Sequence, residues 1–107
     1  MTNRVQIATQ RLRLRAARAR FARAQPHLAA VIRQVRDERL TYVSGDSLRE
    51  LAEAVLESSH LQGAIVEAGT ALGGSGIVLA AAKEPDRQMK LYDVFGMITK
   101  PHIRRIA

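Results

Sequence analysis

A cluster of four glycines between two short apolar segments constrains the fold more than any other feature of the sequence. The segment 69–76, GTALGGSG, follows the apolar run 64–67 and precedes an apolar helical stretch, residues 77–83, which Pro85 closes. Residues 90–95 then have the composition of a second strand. A strand, a glycine loop, a helix and a strand within about thirty residues predict a βαβ unit with parallel strands.

Three helices are predicted before the βαβ unit. The first covers residues 6–25, and the second begins at Pro26, whose missing N–H costs nothing in a first helical turn. The third is predicted to begin at Ser47, because Ser47-x-x-Glu50 has the form of a capping box ahead of an apolar face. We expect the helices that begin near Ser47 and Ser75 to cover part of each face of the sheet.

The positive charge of the chain is concentrated in its N-terminal helices. The formal net charge is +7, and residues 1–40 hold ten arginines against two acids, Asp37 and Glu38. Residues 41–107 hold seven Lys/Arg against eight Asp/Glu. We therefore predict two parts, a basic helical extension at 1–40 and an α/β domain at 41–107, and any contact with an acidic partner must involve the first part.

Three interpretations of the basic extension remain open. Ile7, Leu14 and Phe21 recur every seven residues and form a narrow apolar stripe, which favours helices that dock on a partner, such as a second copy of the chain. Nucleic-acid binding through phosphates is an alternative, although Phe21 is the only aromatic platform for base stacking. An organelle-targeting presequence would also be rich in arginine, but this segment contains no serine.

Composition excludes several classes of site. The chain has no cysteine, which excludes disulfides, thiolate metal sites and a cysteine nucleophile. The three histidines, His27, His60 and His102, have no metal-ligand spacing, so we name no metal ligand. No apolar run has the length needed to span a bilayer. We expect a cytoplasmic protein that does not contact a membrane.

The glycine loop does not match the two common phosphate-binding patterns. A P-loop needs a lysine where Ser75 stands, and a dinucleotide fingerprint needs a third glycine where Leu79 stands. Glu67, at the mouth of the loop, would also repel a pyrophosphate. A ligand with cationic groups fits better, because Glu67 and Asp93 end the two predicted strands and an acid at the second strand typically binds ribose hydroxyls.

At these residues the chain resembles class I S-adenosylmethionine-dependent methyltransferases, in the form found in macrocin (TylF-type) O-methyltransferases. Residues 66–75, VEAGTALGGS, are similar to motif I of that family, and residues 91–97, LYDVFGM, are similar to its second-strand motif. Residues 41–44, TYVS, and the helix after them are similar to the segment that precedes motif I. The resemblance covers roughly residues 40–98, in an α/β, partial Rossmann-like fold.

The resemblance implies S-adenosyl-L-methionine as the cofactor and O-methyl transfer to a small-molecule hydroxyl as the activity of the intact relative. By this similarity Glu67, Gly69 and Gly73 would shape the pocket for the methionine part of the cofactor. Asp93 would bind the ribose, and Phe95 would flank the adenine.

The resemblance ends after Met97, where residues 98–107, ITKPHIRRIA, do not follow the family's continuation. The family places its acceptor site, metal-binding carboxylates and general base further along the chain. We therefore expect an N-terminal, cofactor-binding part that is inactive alone, and we name no catalytic residue. The rival hypothesis is a small basic module that binds nucleic acid through its arginine-rich extension.

Overall fold

The computed structural model describes residues 2–93, which form an α/β-like arrangement of helices and a small two-stranded parallel sheet. The elements follow one another along the chain as α1 (Thr2–Ala24), α2 (Pro26–Asp37), α3 (Gly45–Glu57), a 3₁₀ turn (Ser58–His60), β1 (Ile65–Ala68), α4 (Gly74–Ala82) and β2 (Met89–Tyr92).

The parallel βαβ unit predicted from the glycine cluster is present. β1 and β2 pair in parallel with Ile65 opposite Met89 and Ala68 opposite Tyr92, and α4 lies between them in the chain. Both strands are four residues long, so the sheet is small. The last residues of the predicted second strand, 94 and 95, lie outside the described residues.

The hydrophobic core is formed by the helices, and it includes residues from both sides of the predicted boundary at residue 40. Its buried side chains come from all four helices, with α2 packing against both α3 and α4. They are Phe21 of α1, Leu28, Ile32 and Val35 of α2, Leu48 and Ala52 of α3, and Val78 of α4. Because α2 contributes three of these side chains, the basic extension and the α/β part share one core.

The first residue of α4 joins this helix to the end of α2. The N–H of Gly74 donates to the carbonyl of Leu40 over 2.8 Å. A Cβ at this position would lie 2.4 Å from that carbonyl oxygen and 2.6 Å from Cγ1 of Val35, so only glycine fits. The glycine loop is thereby held against the helical core at its C-terminal end.

Two expectations about α3 are wrong. The helix begins at Gly45 and its N-cap is Ser44, whose hydroxyl accepts the N–H of Ser47 over 3.2 Å; the predicted cap at Ser47 lies inside the helix. Nor does α3 cover a face of the sheet, since it packs against α2 and α4. Val66 and Tyr92, which belong to the sheet, keep 60% and 55% of their surface exposed.

Helix α1 packs on the core only through its C-terminal half. It begins at Thr2, four residues before the predicted start. Phe21 is buried, Leu14 is half-buried and Ile7 is exposed, so the predicted apolar stripe is covered progressively towards Phe21. An ion pair between Arg18 and Asp46 of α3 fixes α1 at this end.

Arg87 connects the segments that precede the two strands. Its guanidinium donates through Nε to the carbonyl of Gly63 over 3.0 Å and through Nη1 to the hydroxyl of Ser58 over 2.9 Å. The same Nη1 lies 3.3 Å from the carbonyl oxygen of Ser58. One side chain thus ties the start of the 3₁₀ turn and the segment before β1 to the turn that precedes β2.

Candidate functional site

The glycine loop turns sharply at the carboxyl ends of the two strands. The N–H of Gly69 donates to the carbonyl of Tyr92 over 2.7 Å, and the N–H of Gly73 donates to the carbonyl of Thr70 over 3.0 Å. Gly73 has φ +91°, a left-handed conformation that favours glycine, and it caps α4. The loop is therefore a bend followed by a helix, as a ligand-binding βα turn requires.

Asp93 lies at this loop. Its carboxylate accepts the backbone N–H of Ala71, at the tip of the bend. Because Gly69 is bonded to Tyr92, the residue before Asp93, the carboxyl end of β2 lies directly beside the start of the loop. The prediction that Asp93 ends the second strand next to the glycine loop is confirmed.

Glu67 lies at the end of β1, opposite Leu91 in the sheet register. Its Oε1 is buried and has no hydrogen-bond partner among residues 2–93. A Cβ at Gly76, in the first turn of α4, would lie 3.4 Å from this oxygen. The carboxylate therefore faces the N-terminal end of α4, where the helix dipole stabilises negative charge.

The two loop glycines predicted to shape the pocket border open space. A Cβ built at Gly69 or at Gly73 would have no other atom within 4 Å. Backbone at these positions is therefore accessible to a ligand from the outer side of the bend. Glu67, Gly69, Gly73 and Asp93 are brought to one edge of the sheet, whereas Phe95, predicted to flank the adenine, lies outside the described residues.

A cleft between α1, α2 and α3 is a feature that sequence reasoning missed. It has a volume of about 560 Å³, and arginines from all three helices line it: Arg18, Arg33, Arg36 and Arg49. Asp46 also lines it. We call this region the arginine cleft. Arg18 and Asp46 are 28 residues apart, so no local sequence pattern predicts their pairing.

The Arg18–Asp46 pair is a two-pronged ion pair. Nε and Nη2 of Arg18 lie 2.8 and 2.7 Å from the two carboxylate oxygens of Asp46. The hydrogen bond from Arg18, followed by the positive charges of Arg18, Arg49 and Arg36, lowers the pKa of Asp46 below its ordinary value. Asp46 thus stays ionised to a lower pH than an ordinary aspartate does.

Among residues 2–93 no group of three or more histidine or acidic side chains is arranged to hold a metal ion. No helix within the same residues is long and apolar enough to cross a bilayer.

The comparisons with known proteins add no relative: no family model matches the chain, and no curated protein or solved structure is significantly similar to it. The likeness to methyltransferases therefore depends on the residues of the glycine loop and the two strand ends.

Proposed function

We propose that the chain binds S-adenosyl-L-methionine at the glycine loop, as the cofactor-binding part of a Rossmann-like O-methyltransferase. The observation that carries the proposal is the buried, unpartnered Oε1 of Glu67 beside a loop that borders open space. A buried carboxylate oxygen is unfavourable unless a donor or a cation satisfies it. The ammonium group of the cofactor is such a partner.

Other residues at the loop contact the remaining groups of the cofactor in this proposal. Asp93, at the end of β2, accepts the ribose hydroxyls; a carboxylate accepts several hydrogen bonds, so its bond from Ala71 is compatible with this role. Gly69 and Gly73 leave space for the methionine chain. Phe95, which follows Asp93 by two residues, flanks the adenine in this proposal.

When bound, the cofactor would supply a methyl group on a cationic sulfur, and the hydroxyl of a small-molecule acceptor would attack that methyl group. The residues of the loop bind and orient the cofactor, and the carboxylates of Glu67 and Asp93 attract its positive charge. We assign no general base and no metal ligand to residues 2–93.

The proposal is tested by calorimetric titration with two probes, S-adenosylmethionine and adenosine. Asp93→Asn should weaken both probes about tenfold, since both contain the ribose and a charge-assisted hydrogen bond is lost. Glu67→Gln should weaken S-adenosylmethionine about tenfold but leave adenosine unchanged, because only the first probe has the cationic part.

Two variants with the same charge change serve as controls. Asp86→Asn removes an exposed acid in the turn before β2, and Glu57→Gln removes an exposed acid at the end of α3. Neither should alter the affinity for either probe. Absence of saturable S-adenosylmethionine binding, or equal weakening by all four variants, would contradict the proposal.

The second candidate function is nucleic-acid binding by α1. The helix contains seven arginines and no acid, and its first half is exposed. Replacing Arg11, Arg13 and Arg15 together by Gln tests it without removing α2, which the core requires. If α1 binds phosphates, the negative slope of log affinity against log salt concentration should become roughly 2–3 units less steep in this variant. An unchanged slope would exclude this function for α1.

A further inference from the structure

The arginine cleft holds more positive charge than its acids neutralise. Four guanidinium groups meet two carboxylates there, Asp46 in the lining and Glu53, which accepts from Nη1 of Arg49 over 3.2 Å. Arg18 is paired with Asp46 and Arg49 with Glu53, so the two remaining positive charges are those of Arg33 and Arg36, and both of these residues are exposed.

Arg49 is the buried member of this set. The residue keeps 9% of its surface exposed, and its Nε is buried without a hydrogen-bond partner among residues 2–93. A buried N–H of a charged group that lacks an acceptor is costly, so an acceptor at this point would stabilise the arrangement. Because Arg49 lines the cleft, an anion bound there would lie close to this guanidinium and would stabilise its charge.

The N-terminus of α3 opens into the same cleft. Gly45 and Asp46, its first two residues, are part of the lining. The first N–H groups of a helix have no intrahelical partner and carry partial positive charge. The Nη1 of Arg36 lies 2.9 Å from the position that a Cβ of Gly45 would take, so this guanidinium lies directly over the helix end.

We propose that the arginine cleft binds the phosphate group of a small phosphorylated molecule. Two excess positive charges match a phosphate monoester, which carries nearly two negative charges and three acceptor oxygens, better than they match a carboxylate. The volume, about 560 Å³, lies in the range of small-molecule sites. Ile32 and Phe21 contribute an apolar part of the lining.

A small molecule fits the cleft better than nucleic acid does. The cleft is concave and is lined by residues of three helices, whereas a nucleic-acid surface follows an extended backbone. Although Phe21 borders the cleft, it keeps only 6% of its surface exposed, which is too little for a base to stack on its ring. The cleft shares no residue with the glycine loop, so this proposal is independent of cofactor binding.

The test is a titration of the nitrogen-15-labelled chain with inorganic phosphate, followed by NMR at constant ionic strength. Phosphate should shift the amides of Gly45 and Asp46 and the Nε–H of Arg49 in a saturable manner. Arg36→Gln and Arg33→Gln should each weaken binding about tenfold. Arg20→Gln, which removes the same charge from an exposed position on α1 outside the lining, should leave the affinity unchanged.

Ribose 5-phosphate and an oligothymidylate serve as further probes of the occupant. Ribose 5-phosphate should bind at least as tightly as inorganic phosphate and shift the same three signals, and S-adenosylmethionine binding should be unaffected by Arg36→Gln. Shifts no larger than those from chloride, or an equal loss of affinity in Arg20→Gln, would overturn the proposal. Tighter saturable binding of the oligothymidylate at the same signals would overturn the assignment to a small molecule.

Discussion

The glycine loop and the arginine cleft each contain one buried polar atom without a partner, but the two atoms belong to groups of opposite charge. They are Oε1 of Glu67 and Nε of Arg49, and they are the two such side-chain atoms among residues 2–93. Beside the loop, the acid faces Gly76 in the first turn of α4. In the cleft, other ionised side chains surround the cation.

By this difference, one small core holds two kinds of candidate site. The loop depends on local sequence, because a strand end, a bend and a helix start are consecutive in the chain. The cleft depends on the packing of three helices, because its arginines are distributed over residues 18–49. The loop is joined to the helices that form the cleft at Gly74, whose N–H donates to the carbonyl of Leu40, three residues after the end of α2.

The largest expected effect is that of Gly74→Ala, which places a side chain at this junction. The added Cβ would lie far inside van der Waals contact with the Leu40 carbonyl and Val35. We expect the free energy of unfolding to fall by about 3 kcal/mol or more, measured by urea denaturation. Both S-adenosylmethionine and phosphate binding should be lost together; loss of only one would show that the sites do not share this support.

A pair of substitutions at the two unpartnered atoms should have opposite effects on stability. Glu67→Leu removes a buried oxygen that has no partner, so unfolding should require about 1 kcal/mol more while S-adenosylmethionine binding disappears. Arg49→Met also removes an unpartnered atom but deprives Asp46 and Glu53 of a cation, so stability should fall by about 1 kcal/mol.

Urea denaturation of both variants measures this difference directly. A decrease of stability in Glu67→Leu would mean that the Glu67 carboxylate stabilises the fold, as Arg49 does through its ion pairs. The expected difference between the two sites would then be wrong.

Gly76→Ala should separate the proposed binding role of the loop from its role in folding. An alanine in the first turn of α4 should raise the free energy of unfolding by about 0.5 kcal/mol. Its methyl group would be in van der Waals contact with Oε1 of Glu67, at 3.4 Å, and would occupy the space from which a donor of the ligand reaches that oxygen. S-adenosylmethionine should then bind more weakly while phosphate binding is unchanged; weaker phosphate binding would contradict the independence of the sites.

The smallest expected effect is a loss of stability in acid that depends on Asp46. Its pKa is lowered in the folded chain, chiefly by the hydrogen bond from Arg18. The stabilisation is therefore complete above the unfolded pKa of about 3.9 and is lost as the pH falls through the lower folded pKa. The effect is small because the pair is exposed.

Urea denaturation between about pH 5 and about pH 2 tests this dependence. Wild type should lose slightly more stability over this range than Asp46→Asn, which has no carboxylate to protonate at this position. Identical profiles would show that the ion pair does not contribute to attaching α1.

The sequence predicts those features that depend on neighbouring residues. Pro26 marks the start of α2, and the glycine cluster correctly separates β1 from α4. The positions of Glu67, Gly69, Gly73 and Asp93 at one sheet edge follow from the parallel order of β1 and β2. Cofactor binding itself stays a prediction.

Features that depend on tertiary contacts were not predictable. Ser44 and Ser47 both precede apolar helical positions, and the choice of Ser44 as the cap places Gly45 in the first turn, where the Arg36 side chain packs closely over it. The pairing of Arg18 with Asp46 likewise requires that α1 lie across α3. Neither contact leaves a local pattern in the sequence.

The position of Arg87 has a consequence for how the loop can change. Its guanidinium fastens Gly63 and Ser58 to the turn before β2, at the end of the sheet remote from the loop. The strands are thus fixed against sliding from their amino ends. Substitutions within the bend can therefore alter the shape offered to a ligand while the register that places Glu67 opposite Leu91, two residues before Asp93, is kept.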